Sequence, residues 1–127
     1  MFDTLDVFRM ANAMARHAGS RQAVVAANIA NADTPGYRAR DVASFADTYA
    51  APVTPDLRMT RAGHMALAGP AGSPRTIDSP GPSAPNGNTV ALETEMFRSV
   101  DAKRQHDRAL SIYRASLDLI RSSLGRR

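Results

Sequence analysis

The distribution of proline is the feature that most constrains how this chain can fold. All eight prolines lie between Pro35 and Pro85, so residues 1–34 and 86–127 contain none. Proline removes a backbone donor and clashes with the preceding helical turn, so a long helix needs proline-free sequence. The pattern predicts a mainly α chain, with a long helix near each end and a proline- and glycine-rich loop region between them.

The N-terminal stretch, residues 3–32, has the spacing of an amphipathic helix. Its apolar residues recur at intervals of mostly three or four, which places them on one helical stripe. The stripe consists of Val7, Ala11, Met14, Ala18, Val25 and Ile29. Gly19 lowers helix propensity by about 1 kcal/mol, so we expect a weak point near residues 19–22.

The C-terminal stretch, residues 89–124, predicts a second helix. Asn88 or Thr89 is a candidate cap, and Glu93 and Glu95 fall near the positive end of the helix dipole. A packing seam follows the three-and-four spacing of a coiled coil. The seam contains Leu92, Met96, Leu110, Tyr113, Leu117, Ile120 and Leu124, with polar Ser99, Lys103 and His106 in its middle.

The two helices are expected to pair as an antiparallel hairpin. The second helix is roughly 50 Å long at 1.5 Å per residue, and only the first is long enough to lie beside it. We assign residues 1–41 to the first helix and its exit turn, 42–88 to a largely irregular linker, and 89–127 to the second, coiled-coil helix. Residues 69–88 are mostly Gly, Pro, Ser, Ala and Asn, and such sequence buries too little apolar surface to offset its ordering entropy.

The composition favours a chain that completes its fold in an assembly. It is 43% hydrophobic but only 6% aromatic, and it has no tryptophan. Alanine covers little area, so each one contributes little at roughly 25 cal/mol per Å². Two alanine-rich helices leave apolar seams exposed, and exposed seams mark contacts with partners.

The first helix is followed by a strong stop signal, Asp-Thr-Pro-Gly-Tyr. Proline disfavours helical geometry in the residue before it, so the helix should end by about Ala32 and Thr34 should be extended. Pro35-Gly36 is the preferred central pair of a type II turn. Asn28, Asn31 and Asp33 can bond unpaired backbone groups at the helix end, and Tyr37 can anchor the returning chain. By itself this chemistry is that of an ordinary helix stop.

The string ANIANADTPGYRARD nevertheless resembles the N-terminal motif of the bacterial flagellar axial proteins, and it is nearest to their proximal rod subunits. The matching residues are Asn28, Ile29, Ala30, Asn31, Thr34, Pro35, Gly36 and Tyr37, continued by Arg38, Arg40 and Asp41. A second string, GNTVALETEM, is similar to the segment that leads into the family's C-terminal helix. It is carried by Gly87, Asn88, Val90, Glu93, Glu95 and Met96. The similarity is weakest over residues 42–85.

The resemblance implies a structural subunit of the basal-body rod. Such a subunit assembles with copies of itself and with other rod and rod-base proteins into a tube that transmits torque. It reaches the periplasmic space through the flagellar type III exporter, which agrees with the absence of cysteine and of a cleavable secretory signal. The alternative is a cytoplasmic helical adaptor or export-associated factor that binds one partner through the same seams.

Other function classes find little support in the sequence. His17, His64 and His106 are dispersed without cysteines or an acid pair nearby, and no glycine loop precedes a Lys-Ser/Thr pair. The 16 Lys and Arg residues are interspersed with 12 Asp and Glu, without helix-turn-helix spacing or an aromatic platform. We therefore expect no catalytic residue, metal, cofactor, small-molecule substrate or nucleic-acid partner.

Overall fold

The computed structural model describes residues 2–50, 74–79 and 81–125. In chain order the elements are α1 (Phe2–Ala30), β1 (Arg40–Val42), α2 (Phe45–Ala50), β2 (Thr76–Asp78) and α3 (Leu92–Ser123). The prediction of a mainly helical chain with long N- and C-terminal helices in mutual contact is confirmed. No helix in the described ranges is both long enough and apolar enough to cross a membrane.

The two long helices run antiparallel. Near the end of α1, Asn28 bonds Glu95, close to the start of α3. Near the start of α1, the Phe8 ring packs edge-on against Tyr113, with centroids 5.1 Å apart. Late residues of α1 thus contact early residues of α3, and early residues of α1 contact late residues of α3. This pattern defines an antiparallel hairpin.

The core between the helices is thin and built largely from alanine. Ala11, Ala13 and Ala18 of α1 are buried, as are Ala102 and Ala109 of α3. The largest fully buried side chains are Glu95, Val25 and Asn28, two of which are polar. Small side chains let two helix backbones approach closely, so the hairpin is held by close alanine packing and by a polar cluster at one end.

Only part of the apolar stripe predicted for α1 is buried in the single chain. Ala11, Ala18 and Val25 are buried and Met14 is half-buried, whereas Val7 and Ile29 are exposed in the single chain. His17 was not predicted to be in the core, yet it is 3% exposed. Its Nε2 lies 2.7 Å from the Ala43 carbonyl oxygen, and its ring packs edge-on against Phe45.

In the single chain, the buried residues of α3 lie one position before three residues of the predicted seam, Met96, Lys103 and Leu110. The buried row is Glu95, Ala102 and Ala109. The longer side chains flank the contact because alanines allow the closest approach of the helices. Leu110, Leu117 and Ile120 are half-buried, and Leu92, Met96, Tyr113 and Leu124 are exposed.

The weak point predicted near residues 19–22 of α1 is absent, because α1 is continuous from Phe2 to Ala30. Gly19 lies within this continuous helix. Contacts with α3 lie on both sides of the glycine, from Phe8 to Tyr113 and from Gln22 to Ser99, and such tertiary packing offsets a propensity cost of about 1 kcal/mol.

Two parts of the predicted linker, residues 42–50 and 76–78, contain short regular elements. β1 and β2 pair antiparallel, with Arg40 opposite Asp78 and Val42 opposite Thr76. Ser44 caps α2 by accepting a hydrogen bond from the Asp47 backbone N–H at 3.2 Å. Long-range backbone pairing overrides the weak local preferences of these residues. Short extended pieces considered for 53–67, and His64, lie outside the described residues.

Candidate assembly joint between the two long helices

The exit turn of α1 has the geometry that its sequence predicts. Gly36 has a φ of +72°, and the Tyr37 backbone N–H donates to the Thr34 carbonyl oxygen at 3.3 Å. A four-residue turn with positive φ at its third residue is a type II turn. The helix itself ends at Ala30, two residues before the expected limit at Ala32. Turns then lead to Thr34. The chain therefore leaves the hairpin core on a fixed path.

Asn88, from the far end of the sequence, holds this exit turn. Its Nδ2 lies 3.0, 2.7 and 2.9 Å from the carbonyl oxygens of Asn31, Ala32 and Thr34. These oxygens follow the last helical residue and have no partner in the helix ladder. The Asn88 Oδ1 accepts from the Val90 backbone N–H at 2.7 Å. The side chain is 3% exposed, so water does not compete for these bonds.

The predicted capping role of Asn88 and Thr89 in the second helix is therefore wrong. The residue at the N-cap of α3 is Ala91, which makes no side-chain capping bond. Thr89 instead bonds the returning chain, where its Oγ1 accepts from the Ala39 N–H at 2.9 Å and its own N–H donates to the Tyr37 carbonyl at 3.1 Å. Asn88 thus bonds the turn that follows α1, and Thr89 bonds the chain as it leaves that turn.

Two glycines allow the two sequence motifs to meet. Gly87 has a φ of +79°, and a Cβ at this position would lie 3.4 Å from the Gly36 Cα. The Gly36 N–H donates to the Asn86 carbonyl oxygen at 3.0 Å. Positive φ is unfavourable for residues with a Cβ, so the backbone conformation favours glycine at both positions.

Asn28 is the centre of the polar cluster and is fully buried. Its Nδ2 donates to the Arg40 carbonyl oxygen at 2.6 Å and to Glu95 Oε2 at 3.0 Å. Its Oδ1 accepts from the Arg40 N–H at 3.1 Å and from the Tyr37 hydroxyl at 3.4 Å. A primary amide offers two donors and two main acceptor sites, and here all four are used. One side chain thus joins α1, the exit turn, β1 and α3.

Glu95 is the charged member of this cluster, and the sequence placed it only near the positive end of the helix dipole. It is 1% exposed. Arg98 compensates its charge, with Nη1 donating to Glu95 Oε1 at 2.6 Å and Nη2 donating to Ser79 Oγ at 2.9 Å. A buried carboxylate is tolerated only when it is paired and hydrogen-bonded. Removal of Arg98 would therefore leave the buried Glu95 carboxylate without its charge partner.

Alternating charges continue from this pair across the surface of the hairpin. Arg98 Nε lies 3.7 Å from Asp41 Oδ2, and Asp41 Oδ1 lies 3.5 Å from Arg21 Nε. Arg21 then donates to Asp101 at 2.8 Å. The sequence offered Asp41 and Glu95 only as parts of motifs, and it gave no sign that Arg21 and Arg98 would lie between them. Partners 57 and 80 positions apart leave no local pattern.

The joint has the chemistry of a structural connection. In the described residues, no group of three or more His, Asp or Glu side chains is placed to hold a metal ion. The pKa of the Arg9 guanidinium is raised by its hydrogen bond to Asp6 and by the charge of that carboxylate. That pair is exposed near the start of α1, at the opposite end of the hairpin.

Comparison with known proteins assigns this chain to a family. A family model described as "Flagella basal body rod protein" matches residues 11–38. The "Flagellar basal body rod protein FlgB" of Agrobacterium fabrum is 31% identical over 116 residues, which cover 87% of each chain. The protein of the same name from Escherichia coli K12 is 33% identical over 122 residues, covering 87% of this chain and 88% of that one. A third relative so named, from Cereibacter sphaeroides, is 34% identical over 95 residues, 73% of each chain.

The chain belongs to the FlgB family of flagellar basal body rod proteins.

The resemblance stated from the motif residues is thereby confirmed. In this FlgB-family chain the model match begins at Ala11, in the buried row of α1, and ends at Arg38, after the exit turn. The matched segment contains Asn28, Tyr37 and the Pro35-Gly36 turn. Its bonding partners Asn88 and Glu95 lie outside that segment, in the second string that the sequence singled out.

Proposed function

We propose that this chain is a structural subunit of the flagellar basal-body rod. Family membership carries the proposal, and the joint gives it a physical basis. A rod that transmits torque needs subunits whose helices keep their relative position under load. The buried bonds of Asn28, Asn88 and Glu95 fix the end of α1, the start of α3 and the β1–β2 pair to one another. Breaking such a joint exposes several buried polar groups at once.

We further propose that the chain occupies the proximal rod and assembles with copies of itself and with neighbouring rod and rod-base proteins. The exposed apolar residues of the predicted seams support this step. Val7, Leu92, Met96, Tyr113 and Leu124 are each at least 37% exposed in the single chain. Burial of such residues against neighbours would make the assembled rod more stable than the isolated hairpin.

Residues Asn28 to Tyr37 are proposed to set the path by which the chain leaves the inner helical layer. Their bonds to residues 86–95 support a fixed angle between that layer and the residues that follow. The role of the remaining motif residues, Ile29, Ala30 and Asn31, in contacts between subunits is part of the same proposal. No enzymatic activity, cofactor or nucleic-acid partner is proposed.

Export through the flagellar type III apparatus is proposed as the route to the rod in the periplasmic space. The thin alanine core supports this proposal, because a hairpin with few large buried side chains unfolds at low cost. The absence of cysteine means that folding after export needs no disulfide formation.

The test is to locate the chain in cells of the source organism. Purified hook–basal bodies and cytosol are probed with an antibody against the chain, with a known basal-body ring protein as the positive control. Enrichment with the basal bodies supports the rod assignment. Confinement to the cytosol would contradict it and favour the adaptor function.

A further inference from the structure

A notch opens between the two long helices beside Gly19. It has a volume of about 470 Å³, and its lining includes Ala18, Gly19, Val100, Ala102 and Lys103. A Cβ at Gly19 would meet no atom within 4 Å. The missing side chain at this position therefore leaves space at the surface of the hairpin.

A large apolar side chain projects elsewhere on the same molecule. Phe97 is 77% exposed and its neighbour Met96 is 57% exposed. Aromatic side chains contribute large apolar area when they are buried, so a ring standing in water is a strong candidate for a contact. The side chain of phenylalanine is also small enough to enter the notch.

Phe97 projects away from the floor of the notch, although the two features adjoin at Val100. At about 100° per residue, Phe97 is rotated by about 140° from buried Ala102 around the α3 axis, and by about 120° from Lys103. The ring thus cannot fill the notch of its own chain. A contact of the ring with a notch therefore involves a second copy of the chain and joins two different surface features.

The charges beside the two features are complementary. Glu93 lies one helical turn before Phe97 on the same side of α3, and Lys103 lines the notch. Both are exposed, and within the described part of the chain neither takes part in an ion pair. A ring flanked by an acid on one copy therefore matches a notch flanked by a base on another.

We infer that Phe97 of one copy occupies the Gly19 notch of the next copy, with Glu93 of the first beside Lys103 of the second. A contact between two different surface patches of identical chains is head-to-tail and repeats without closing unless its rotation forms a ring. Successive copies in a rod require this kind of contact. The inference rests on the proposed rod function and names the surface through which one copy binds another.

The first experiment fills the notch from within its own chain. Gly19→Leu places a side chain in the empty space, and Gly19→Ala is the matched control that adds only a Cβ. Leucine and alanine both favour helix over glycine, so both variants should unfold at an equal or higher temperature than the wild type. In cells that lack the native chain, we expect Gly19→Leu to reduce the amount in purified basal bodies at least tenfold, and Gly19→Ala to remain near wild type. Equal incorporation of the two variants would overturn the inference.

The second experiment identifies the occupant. The chain contains no cysteine, so Phe97→Cys and Gly19→Cys introduce unique thiols. Cells that express both single variants should give a cross-linked two-copy band from oxidised basal bodies, and cells with either alone should not. A chain with both substitutions should give a ladder of two, three and more copies.

Three results separate failure of the contact from failure of the proposed function. If both cysteine variants are incorporated but no mixed cross-link forms, the notch has a different occupant and the inference is wrong. Cross-linking of Phe97→Cys with itself would indicate a face-to-face contact and would also refute it. Absence of the wild-type chain from basal bodies would refute the rod function, and the inference with it.

Discussion

Asn88→Asp replaces a hydrogen-bond donor with an acceptor while keeping nearly the same shape. In the native chain, Asn88 Nδ2 lies within 3.0 Å of three carbonyl oxygens at the end of α1. A carboxylate at that position places an oxygen that cannot donate against these three carbonyl oxygens, so no hydrogen bond forms between them. The substitution therefore tests whether this amide holds the exit turn, with little change in packing.

The cost follows from the number of bonds and from burial. An amide has two N–H donors, and each buried hydrogen bond contributes about 1 kcal/mol, with a further 1–3 kcal/mol for a buried group left without a partner. Because Asn88 is 3% exposed, we expect Asn88→Ala to lower the free energy of unfolding by about 2–4 kcal/mol. Asn88→Asp should cost roughly 1–3 kcal/mol more at neutral pH, since its charge is also buried among carbonyl dipoles.

The extra cost of Asn88→Asp depends on pH. Burial and the carbonyl oxygens raise the pKa of the new carboxyl above its ordinary value of about 3.9. Below that value the carboxyl is protonated in both states, and only the lost amide bonds count. As pH rises through the unfolded-state pKa, ionisation stabilises the unfolded chain, and the penalty grows until pH exceeds the folded-state pKa.

The assay is thermal or urea unfolding of the purified chain, followed by circular dichroism at about pH 3.5 and pH 7. A loss of 1 kcal/mol corresponds to a shift of about 4 °C for a chain of this size. Asn88→Ala is the control, because its difference from the wild type should not change with pH. If Asn88→Asp is as stable as the wild type at pH 7, Asn88 does not hold the exit turn.

Three further changes test other parts of the hairpin. Glu95→Gln keeps the shape but removes the charge opposite Arg98, so it should lower the free energy of unfolding by about 1–2 kcal/mol. Glu95→Ala should lower it by about 3–5 kcal/mol. Equal urea midpoints for the two variants would contradict the buried pair. Gly36→Ala should lower the free energy of unfolding by about 1–2 kcal/mol because of the positive φ, and Gly36→Asn should lower it by less. Thermal unfolding measures both, and the reverse order would argue against the turn. Leu117→Asp places an unpaired charge on a half-buried seam and should cost about 2–4 kcal/mol and abolish swimming in soft agar, while Leu117→Met should swim normally. A motile Leu117→Asp strain would count against the packing of that seam.

The sequence by itself determined the elements whose signals are local. Proline-free stretches with apolar residues three and four apart predicted both long helices, because helical periodicity depends on neighbouring residues. Pro35-Gly36 predicted the type II turn, because the φ preferences of proline and glycine act within the turn itself. The string from Asn28 to Tyr37 also sufficed to indicate the family.

Only the tertiary structure decided which groups these elements bring together. Asn88 read as a cap for the helix that follows it, yet it bonds carbonyls more than 50 positions earlier. Glu95 read as a charge at the start of a helix, yet it is buried and bonds Asn28 and Arg98. The buried row of α3 is displaced by one residue because alanines determine how closely two helices approach. Such outcomes depend on partners distant in sequence, and a local pattern carries no information about which distant group lies within bonding distance.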